Sequence, residues 1–495
     1  MDYFTEQGQF WLAQEPRRAV HGSLAFDEDG IRLELAGSLR APVTRGSGVV
    51  GGSPEWAAEP VVHGRLRDGN EVTLLRLRGL SMPTEGVQET WFADFTLTGG
   101  LIGDDAFSQM VVIFDYLMPW VQPPGILRSE LLSPSVTVET QPAVLAEATL
   151  GDGTAVRLVT GVDGQLGDSA VHVDQWCGLE VTGGPKPVID LLNEWARPLQ
   201  DLLVVCTGRP VRLEQVLLRT PDHDLRRAPL DLSFKAVQPA ARARPVAAHL
   251  DNYDAPTLLT YAASPLPFGT LISGWFALCD RLSDAVTLLC GPYYAPFIYS
   301  GHRYASIFQS AEALARAAPN TREKTPSQHR KRVEAVLAVL QEAQLDPEIA
   351  GWAVRVLQGR NDKPLRQLME ELISSAGEAG RALLAAAPDL PDRLAAARTS
   401  VSHPGAEGPG AVTRYWLGEA LTWVLRLRLL AELGVSVSDL STSVTRKPSF
   451  QEVLSELSSL RTGPGEPENG LSMRRRRFRQ RMRPLLRIWH SFGRR

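Results

Sequence analysis

Cysteine is scarce in this chain. Its 495 residues include four cysteines, Cys177, Cys206, Cys279 and Cys290, and no two of them form a Cys-x-x-Cys pair. Scattered cysteines in so long a chain argue against a disulfide-stapled scaffold and against a structural zinc site. We therefore expect a protein of the reducing cytoplasm that needs neither a metal nor a cofactor.

Long apolar runs and a signal sequence are missing too. No stretch approaches the roughly 20 apolar residues of a membrane span. The opening residues, Met-Asp-Tyr-Phe-Thr-Glu-Gln, have neither the basic start nor the apolar run of a signal peptide. With 44% hydrophobic and 22% charged residues, the composition is ordinary for a globular protein. The length allows two to four domains.

A phosphate-binding loop is also absent from the most glycine-rich segment. Residues 161–167 read Gly-Val-Asp-Gly-Gln-Leu-Gly, without the lysine and the following helix that such a loop needs. We predict a plain turn there.

The first half of the chain is patterned for strands. Residues 19–26 run to a turn at Asp-Glu-Asp-Gly, and residues 31–35 then alternate apolar and polar side chains. This pattern predicts a β-hairpin with one solvent-exposed face, and similar segments follow. We predict an antiparallel β domain over 1–250, a sandwich or an open barrel. One helix, from Pro187 to about Leu203 and kinked at Pro198, interrupts it, and residues 202–207 look like a strand again.

From about residue 270 the period becomes helical. Apolar stripes predict helices over 300–318, 327–344, 347–357, 363–375, 390–402 and 411–433. We predict a bundle of five to seven helices over 300–460, with 251–299 as a connecting segment. The fold class is thus α+β, with a β domain followed by an all-α bundle.

The last segment, 461–495, is a flexible linker followed by an arginine-rich tail. Residues 474–495 hold ten arginines and no acid, so the rest of the chain carries −14, the total of −4 less the ten tail charges. Arginines alternate with apolar residues there, which suits RNA phosphates or an anionic membrane surface. The alternative is a disordered tail that binds neither RNA nor a membrane. The candidate RNA contacts are Arg474, Arg475, Arg476, Arg477, Arg479 and Arg481.

Arg398 and His403 form the most informative pair. An arginine can bind a phosphate through two charge-assisted hydrogen bonds, and a histidine can accept or donate a proton near neutral pH. On an unbroken helix they would point about 140° apart, so the helix must end between them or just before His403. Pro404 and Gly405 supply that end, and we predict a tight exit loop over 399–403. The alternative is that the pair has no catalytic role, with Arg398 a solvated cation at a helix end and His403 a loop residue.

Short phrases in both halves resemble known families. The helical half resembles a HEPN domain, whose hallmark is Arg-x4–6-His between two helices, and residues 311–314 (Ala-Glu-Ala-Leu) resemble a phrase of its first helix. The whole chain resembles the ApeA-type anti-phage proteins. Residues 8–12 (Gly-Gln-Phe-Trp-Leu) and 20–24 (Val-His-Gly-Ser-Leu) match their opening phrases. Ala13 departs from the usual proline.

The HEPN resemblance implies a metal-independent RNA endonuclease that acts as a homodimer or higher homo-oligomer. Arg398 would clamp the scissile phosphate, and His403 would act as general base or acid. Thr399 stands where Asn, Asp or Ser is usual, which leaves its role open. Glu312 would orient Arg398 or His403, although a solvated acid on a helix face is an equal alternative.

The ApeA resemblance implies that the β domain senses a phage-derived trigger or restrains the nuclease, and that activation damages host RNA, with tRNA as the expected target. Two other functions stay open. One is a non-catalytic RNA- or nucleotide-binding module. The other is an interaction protein held at a membrane surface by its tail.

Overall fold

A computed structural model describes residues 4–27, 30–40, 44–45, 48–49, 55–81, 88–102, 107–123, 128–129, 138–139, 143–166, 171–219, 234–237, 257–295, 298–319, 321–343, 347–359, 361–402 and 408–460. The strands are β1 (Phe4–Leu12), β2 (Val20–Asp27), β3 (Gly30–Leu35), β4 (Thr44–Arg45), β5 (Gly48–Val49), β6 (Glu55–Leu66), β7 (Glu71–Ser81), β8 (Glu89–Ala93), β9 (Phe95–Thr98), β10 (Phe107–Phe114), β11 (Arg128–Ser129), β12 (Val138–Glu139), β13 (Ala143–Thr149), β14 (Ala155–Leu166), β15 (Val171–Lys186), β16 (Leu213–Arg219) and β17 (Phe234–Val237).

The helices are α1 (Leu117–Val121), α2 (Val188–Leu191), a π-helical turn (Leu192–Ala196), α3 (Arg197–Thr207), α4 (Phe268–Arg281), α5 (Ser283–Tyr294), α6 (Ser300–Arg316), α7 (Pro326–Glu342), α8 (Pro347–Gly359), α9 (Leu365–Ser374), α10 (Gly377–Ala386), α11 (Leu390–Ser402), α12 (Ala411–Glu432), α13 (Val437–Thr445) and α14 (Pro448–Ser459).

Six antiparallel strands close into a barrel at the N-terminal end. The ring runs β7–β6–β1–β2–β3–β8 and closes where β8 pairs with β7. Its alternating side chains fill a separate core that includes Phe10, Leu24, Leu33 and Trp91. The period-two pattern therefore predicted the β domain correctly, and the ring is closed, not open.

A seven-stranded extension leaves the barrel through β7. The first half of β7 pairs with β9 and its second half with β8, and Arg76 between them has a positive φ of 56°. From β9 the sheet continues through β17, β16, β10, β15 and β14 to β13. The turn predicted over 161–167 was wrong: residues 161–166 continue β14 and pair with β15.

Helix α3 lies between this sheet and the helical region. The kink predicted at Pro198 is a π-helical turn directly before it, because proline lacks the N–H that a regular turn would use. The strand predicted over 202–207 was wrong, since these residues finish α3. All six are buried. A helix that is buried on every side has no polar face, so its helical period is not visible in the sequence.

Among the described residues, the helical region holds eleven helices, α4 to α14. Nine of them, α6 to α14, lie within 300–460, where five to seven were predicted, and α4 and α5 lie in the segment 251–299 that was predicted to be a connection. The six predicted segments correspond to α6, α7, α8, α9, α11 and α12. Helix α12 is central: it packs along α6, and its residues from Trp416 to Leu430 are almost all buried. One hydrophobic core runs from the extended sheet through α3 into these helices.

Arg426 of α12 joins the two halves of the chain. Its Nε donates to the carbonyl of Val205 at 2.8 Å, and its Nη2 donates to that of Cys206 at 3.1 Å. These carbonyls belong to the last turn of α3, where helical partners are missing and the helix dipole favours a cation. The arginine thus caps a helix of the β domain from within the bundle.

Candidate active site at the end of α11

Arg398 lies on the last full turn of α11. The helix is anchored by Leu394 and Ala397, both fully buried, and the Tyr304 hydroxyl of α6 donates to the carbonyl of Leu394 at 2.7 Å. Arg398 itself is half-buried. Within the part of the chain that the structure describes, its guanidinium makes no hydrogen bond or ion pair.

The other arginine of α11 behaves differently. Arg393 donates to Asp389 at 2.8 Å and to the carbonyl of Leu460 at 3.1 Å, so its charge serves the packing of the bundle. Arg398 is therefore the arginine of this helix that remains free for a ligand among the described residues.

The exit loop predicted over 399–403 was wrong for its first four residues, because α11 continues through Ser402. The Thr399 hydroxyl donates to the carbonyl of Ala395 at 3.0 Å, and the Ser400 hydroxyl donates to that of Ala397 at 2.9 Å. Thr399 is exposed and its hydroxyl hydrogen is used within the helix, so its oxygen is left as an acceptor.

His403 lies outside the described residues, and its pairing with Arg398 stays a prediction.

The chain returns against α11 at Gly408. A Cβ on Gly408 would stand 2.1 Å from the Cβ of Ser400, so only glycine fits this approach. Three residues later α12 begins, and Arg414 in its first turn donates to the carbonyl of Pro409 at 2.8 Å. The Nε of Arg414 is buried and has no hydrogen-bond partner among the described residues. The last turn of α11 and the first turns of α12 thus bring two arginines to the ends of the 403–407 segment.

Glu312 has a partner on its own helix. Its Oε1 accepts from Nε and Nη2 of Arg316 at 3.0 and 2.8 Å. The hydrogen bond that Tyr304 makes with α11 lies two turns away from Glu312 along α6. The predicted role of Glu312 in orienting Arg398 or His403 stays a prediction.

The sequence pattern did not reveal a partly buried ion pair between α6 and α12. Arg303 of α6 contacts Glu419 of α12 at 2.6 Å, and its guanidinium lies 6.0 Å from the Tyr293 ring and 5.9 Å from the Tyr415 ring. Burial would lower the pKa of Arg303, but Glu419 and the two tyrosines outweigh it and the pKa is raised. The partners are 116 residues apart in sequence, so no spacing rule could have found them.

The six candidate RNA-binding arginines of the tail, Arg474, Arg475, Arg476, Arg477, Arg479 and Arg481, lie outside the described residues. Among the helices that are described, none has the length and apolar character needed to cross a membrane. No cluster of three or more His, Cys, Asp or Glu side chains suited to a metal ion occurs in the same part of the chain.

Comparison with protein families assigns both halves. The family described as ApeA N-terminal domain 1 matches residues 5–275, and the family described as Apea-like HEPN matches residues 305–439, which include Glu312, Arg398, Thr399 and His403. No curated protein and no solved structure matches the chain significantly. HEPN domains are generally nucleases, and the two domains together fit an anti-phage defence protein. The chain therefore belongs to the ApeA family, with an ApeA N-terminal domain followed by an Apea-like HEPN domain.

Proposed function

We propose that the protein is a metal-independent RNA endonuclease of anti-phage defence. The observation that carries this proposal is the half-buried guanidinium of Arg398 near the end of α11, which makes no hydrogen bond or ion pair with any of the described residues. Among those residues it is a cation available for a phosphate, whereas Arg393 on the same helix is paired with Asp389.

The chemistry needs no protein nucleophile. The ribose 2′-hydroxyl attacks the adjacent phosphorus while the bond from phosphorus to the 5′-oxygen breaks. His403 takes the 2′ proton as general base, or gives a proton to the 5′-oxygen as general acid. Arg398 stabilises the charge that grows on the non-bridging oxygens. The products are a 2′,3′-cyclic phosphate and a 5′-hydroxyl.

Thr399 and Glu312 have supporting roles in this proposal. The exposed oxygen of Thr399 can accept a hydrogen bond from a ribose hydroxyl, since its own hydrogen goes to Ala395. Glu312 supports α6 through its ion pair with Arg316.

The arginine-rich tail would raise the affinity for RNA without reading its sequence, since contacts from arginine to phosphate are electrostatic and weaken with salt. Arg474–Arg477, Arg479 and Arg481 are the proposed contacts. Cellular RNA, with tRNA foremost, is the proposed substrate.

The ApeA domain and the association of two or more copies would regulate the nuclease. The ApeA domain would respond to a phage-derived trigger or restrain the nuclease, and a homodimer or higher homo-oligomer would join two copies of the site. Activation would then stop growth of the infected cell, which is abortive infection, in the cytoplasm where the RNA is.

Expression of wild type, His403→Ala and Arg398→Ala in a bacterial host tests this function. We expect growth arrest and RNA fragmentation with wild type alone, and wild-type behaviour from Arg381→Ala, which removes an exposed arginine of α10. Equal toxicity of wild type and both site variants at equal protein levels would refute the assignment.

A further inference from the structure

Helices α7 and α8 form a hairpin that stands apart from the rest of the bundle. They pack on each other, and within the described part of the chain neither makes more than incidental contact with any other helix or strand. The chain leaves and returns at one place. Glu323 N donates to the carbonyl of Asn361 at 2.8 Å, and Lys363 N donates to that of Thr321 at 2.9 Å. This short antiparallel stem closes the base of the hairpin, so α7 runs outward and α8 runs back.

The hairpin carries four exposed apolar side chains. Val336 is 37% exposed and Val339 is 63% exposed in α7. Ile349 is 52% exposed and Trp352 is 59% exposed in α8. The described residues expose nine large apolar side chains in all, so nearly half of them lie on this one hairpin. Single exposed apolar residues are common, but a group of them marks an interaction surface.

The two valines lie on one side of α7. The stripe of α7 that packs on α8 contains the buried Val333 and the half-buried Leu337 and Leu340. Because each helical residue is rotated by about 100° from the one before, Val336 and Val339 lie about 65° and about 125° to one side of this stripe.

Ile349 and Trp352 lie on the same side of the hairpin as the two valines. The half-buried apolar side chains of α8 are Ala353, Val354, Val356 and Leu357. Ile349 and Trp352 lie about 60° and about 120° from the centre of this stripe, in the same rotational sense as the valines of α7. The two helices run in opposite directions and turn their stripes towards each other, so the same rotational sense leads to the same side. The four side chains therefore share one face.

Charge is divided between the two ends of the hairpin. The segments at the stem, 321–332 and 359–363, contain seven cations and two acids, a net charge of +5. At the far end, residues 341–350 contain three acids and no cation, a net charge of −3. Lys331 is exposed towards the stem, and Glu342 is exposed towards the far end. The hairpin is thus positive at its base and negative at its tip.

This distribution selects a second copy of the chain. RNA or an anionic membrane would be repelled by the negative end, whereas a second hairpin laid antiparallel places its negative end on the positive stem, and symmetry repeats the contact. We propose that the α7–α8 hairpin is a self-association surface on which two copies meet face to face, with α7 of one antiparallel to α7 of the other. The four apolar side chains form the centre of the contact, and the charged ends form its rim.

The face has the size of a weak interface. Helix α8 has 13 residues, so the overlap of the two helices is about 20 Å long and about 20 Å wide, which gives about 400 Å² per copy. Stable complexes bury about 800 Å² per partner, so this contact lies at the low end of specific interfaces. We therefore expect two copies to associate and dissociate at micromolar concentrations, which lets a second contact or a trigger control the assembly.

The hairpin is connected to the candidate active site through α9. This helix begins two residues after the stem and packs against α11, which carries Arg398. A contact between two hairpins would therefore set how two HEPN bundles lie relative to each other. That it brings two copies of the Arg398 site together rests on the proposed function, whereas self-association itself does not.

Sedimentation velocity of the full-length protein without RNA tests the surface, from about 1 to about 100 μM, where an interface of this size dissociates. We expect the mass of wild type to double over this range. Val339→Glu and Trp352→Glu should keep the lower mass throughout, because each places a charge in the apolar centre. Val144→Glu, which changes a 56% exposed valine of β13, should behave as wild type. Thermal melting confirms that each variant is folded.

An exchange of charges tests the antiparallel arrangement. Lys331→Glu and Glu342→Lys should each weaken association at least about fivefold, because each puts like charges together at both symmetric contacts. The double variant should return to within about twofold of wild type, since the exchanged charges attract again. The two residues lie about 16 Å apart along α7, too far to pair within one copy.

Three results would overturn the proposal. They are a mass that does not rise with concentration, association that Trp352→Glu leaves intact, and a double variant that associates no more tightly than the single variants. If the mass stays constant and Trp352→Glu instead weakens binding of RNA, the face belongs to RNA and the proposal is wrong. No RNA is present in the sedimentation experiment, so a failed nuclease assay leaves its result unaffected.

Discussion

Arg426 lies directly against Gly208, so closely that a Cβ on Gly208 would stand 2.3 Å from Nη1 of the arginine. Gly208 has a φ of 68° and ends α3 in the left-handed conformation that glycine adopts without strain. The glycine thus meets two demands at once: it terminates a helix of the ApeA domain and leaves room for a cation from the HEPN domain.

Arg426→Met should destabilise the protein strongly. Methionine is similar in length but cannot donate, so the carbonyls of Val205 and Cys206 lose their partner in a buried place, at a cost of about 3 kcal/mol. Arg428→Met, which removes an ion pair with Glu432 on the same helix, should cost under about 1 kcal/mol. Denaturant unfolding of both variants measures the difference. Equal losses would show that Arg426 does not hold the two halves together.

Asp115→Asn should stabilise the protein, and more so at pH 7.5 than at pH 4.5. Burial raises the pKa of Asp115 to about 6, with the nearby Arg212 opposing the rise. Because the pKa of the folded state lies above the unfolded value of about 3.9, the fold binds the proton more tightly, and stability falls as pH rises from about 4 to about 6. Asparagine removes this loss, so the gain at pH 7.5 should exceed that at pH 4.5 by about 2 kcal/mol.

Denaturant unfolding at the two pH values gives the Asp115→Asn result directly. Glu214→Gln, which removes an exposed carboxylate that also raises the pKa of Asp115, should change the same pH difference only slightly. A gain from Asp115→Asn that is the same at both pH values would contradict the raised pKa.

Glu312→Gln and Arg316→Gln should have the same effect on RNA cleavage, because Glu312 acts through its ion pair with Arg316. An exposed pair within one helix contributes about 0.5 kcal/mol, so we expect less than a threefold change in either variant. Single-turnover rates compare them. A large loss in Glu312→Gln alone would instead make Glu312 the residue that orients Arg398 or His403.

The sequence predicted the structure well wherever a helix or strand has one buried apolar face and one exposed polar face, because its apolar residues then recur with a clear period. The stripe of Tyr304, Ile307, Phe308 and Ala311 gave α6 nearly to the residue, and the alternation around β2 and β3 gave the first hairpin. The strand predicted over 202–207 was wrong because α3 is buried on all sides. A short apolar run rich in valine is equally compatible with a strand and with a buried helix.

Contacts that join distant segments could not be read in this way. The closure of the barrel depends on β7 changing partners at Arg76, and neither that change nor the contacts from Arg426 to α3 leave a local signal. The approach of Arg212 to Asp115 likewise depends on the pairing of β10 with β16. In contrast, the pair Arg398 and His403 was proposed from its setting between two helices, and it stays a prediction because His403 lies outside the described residues.

The chemistry of the RNA ends tests the central claim most directly. Purified wild-type protein, Arg398→Lys, His403→Gln and the control Arg381→Ala are incubated with RNA in EDTA, and the fragment ends are identified by mass spectrometry. We predict 2′,3′-cyclic phosphate and 5′-hydroxyl ends from wild type and Arg381→Ala, with rates at least about a hundredfold lower for the two site variants. Ends with a 3′-hydroxyl, or undiminished cleavage by His403→Gln, would contradict the account.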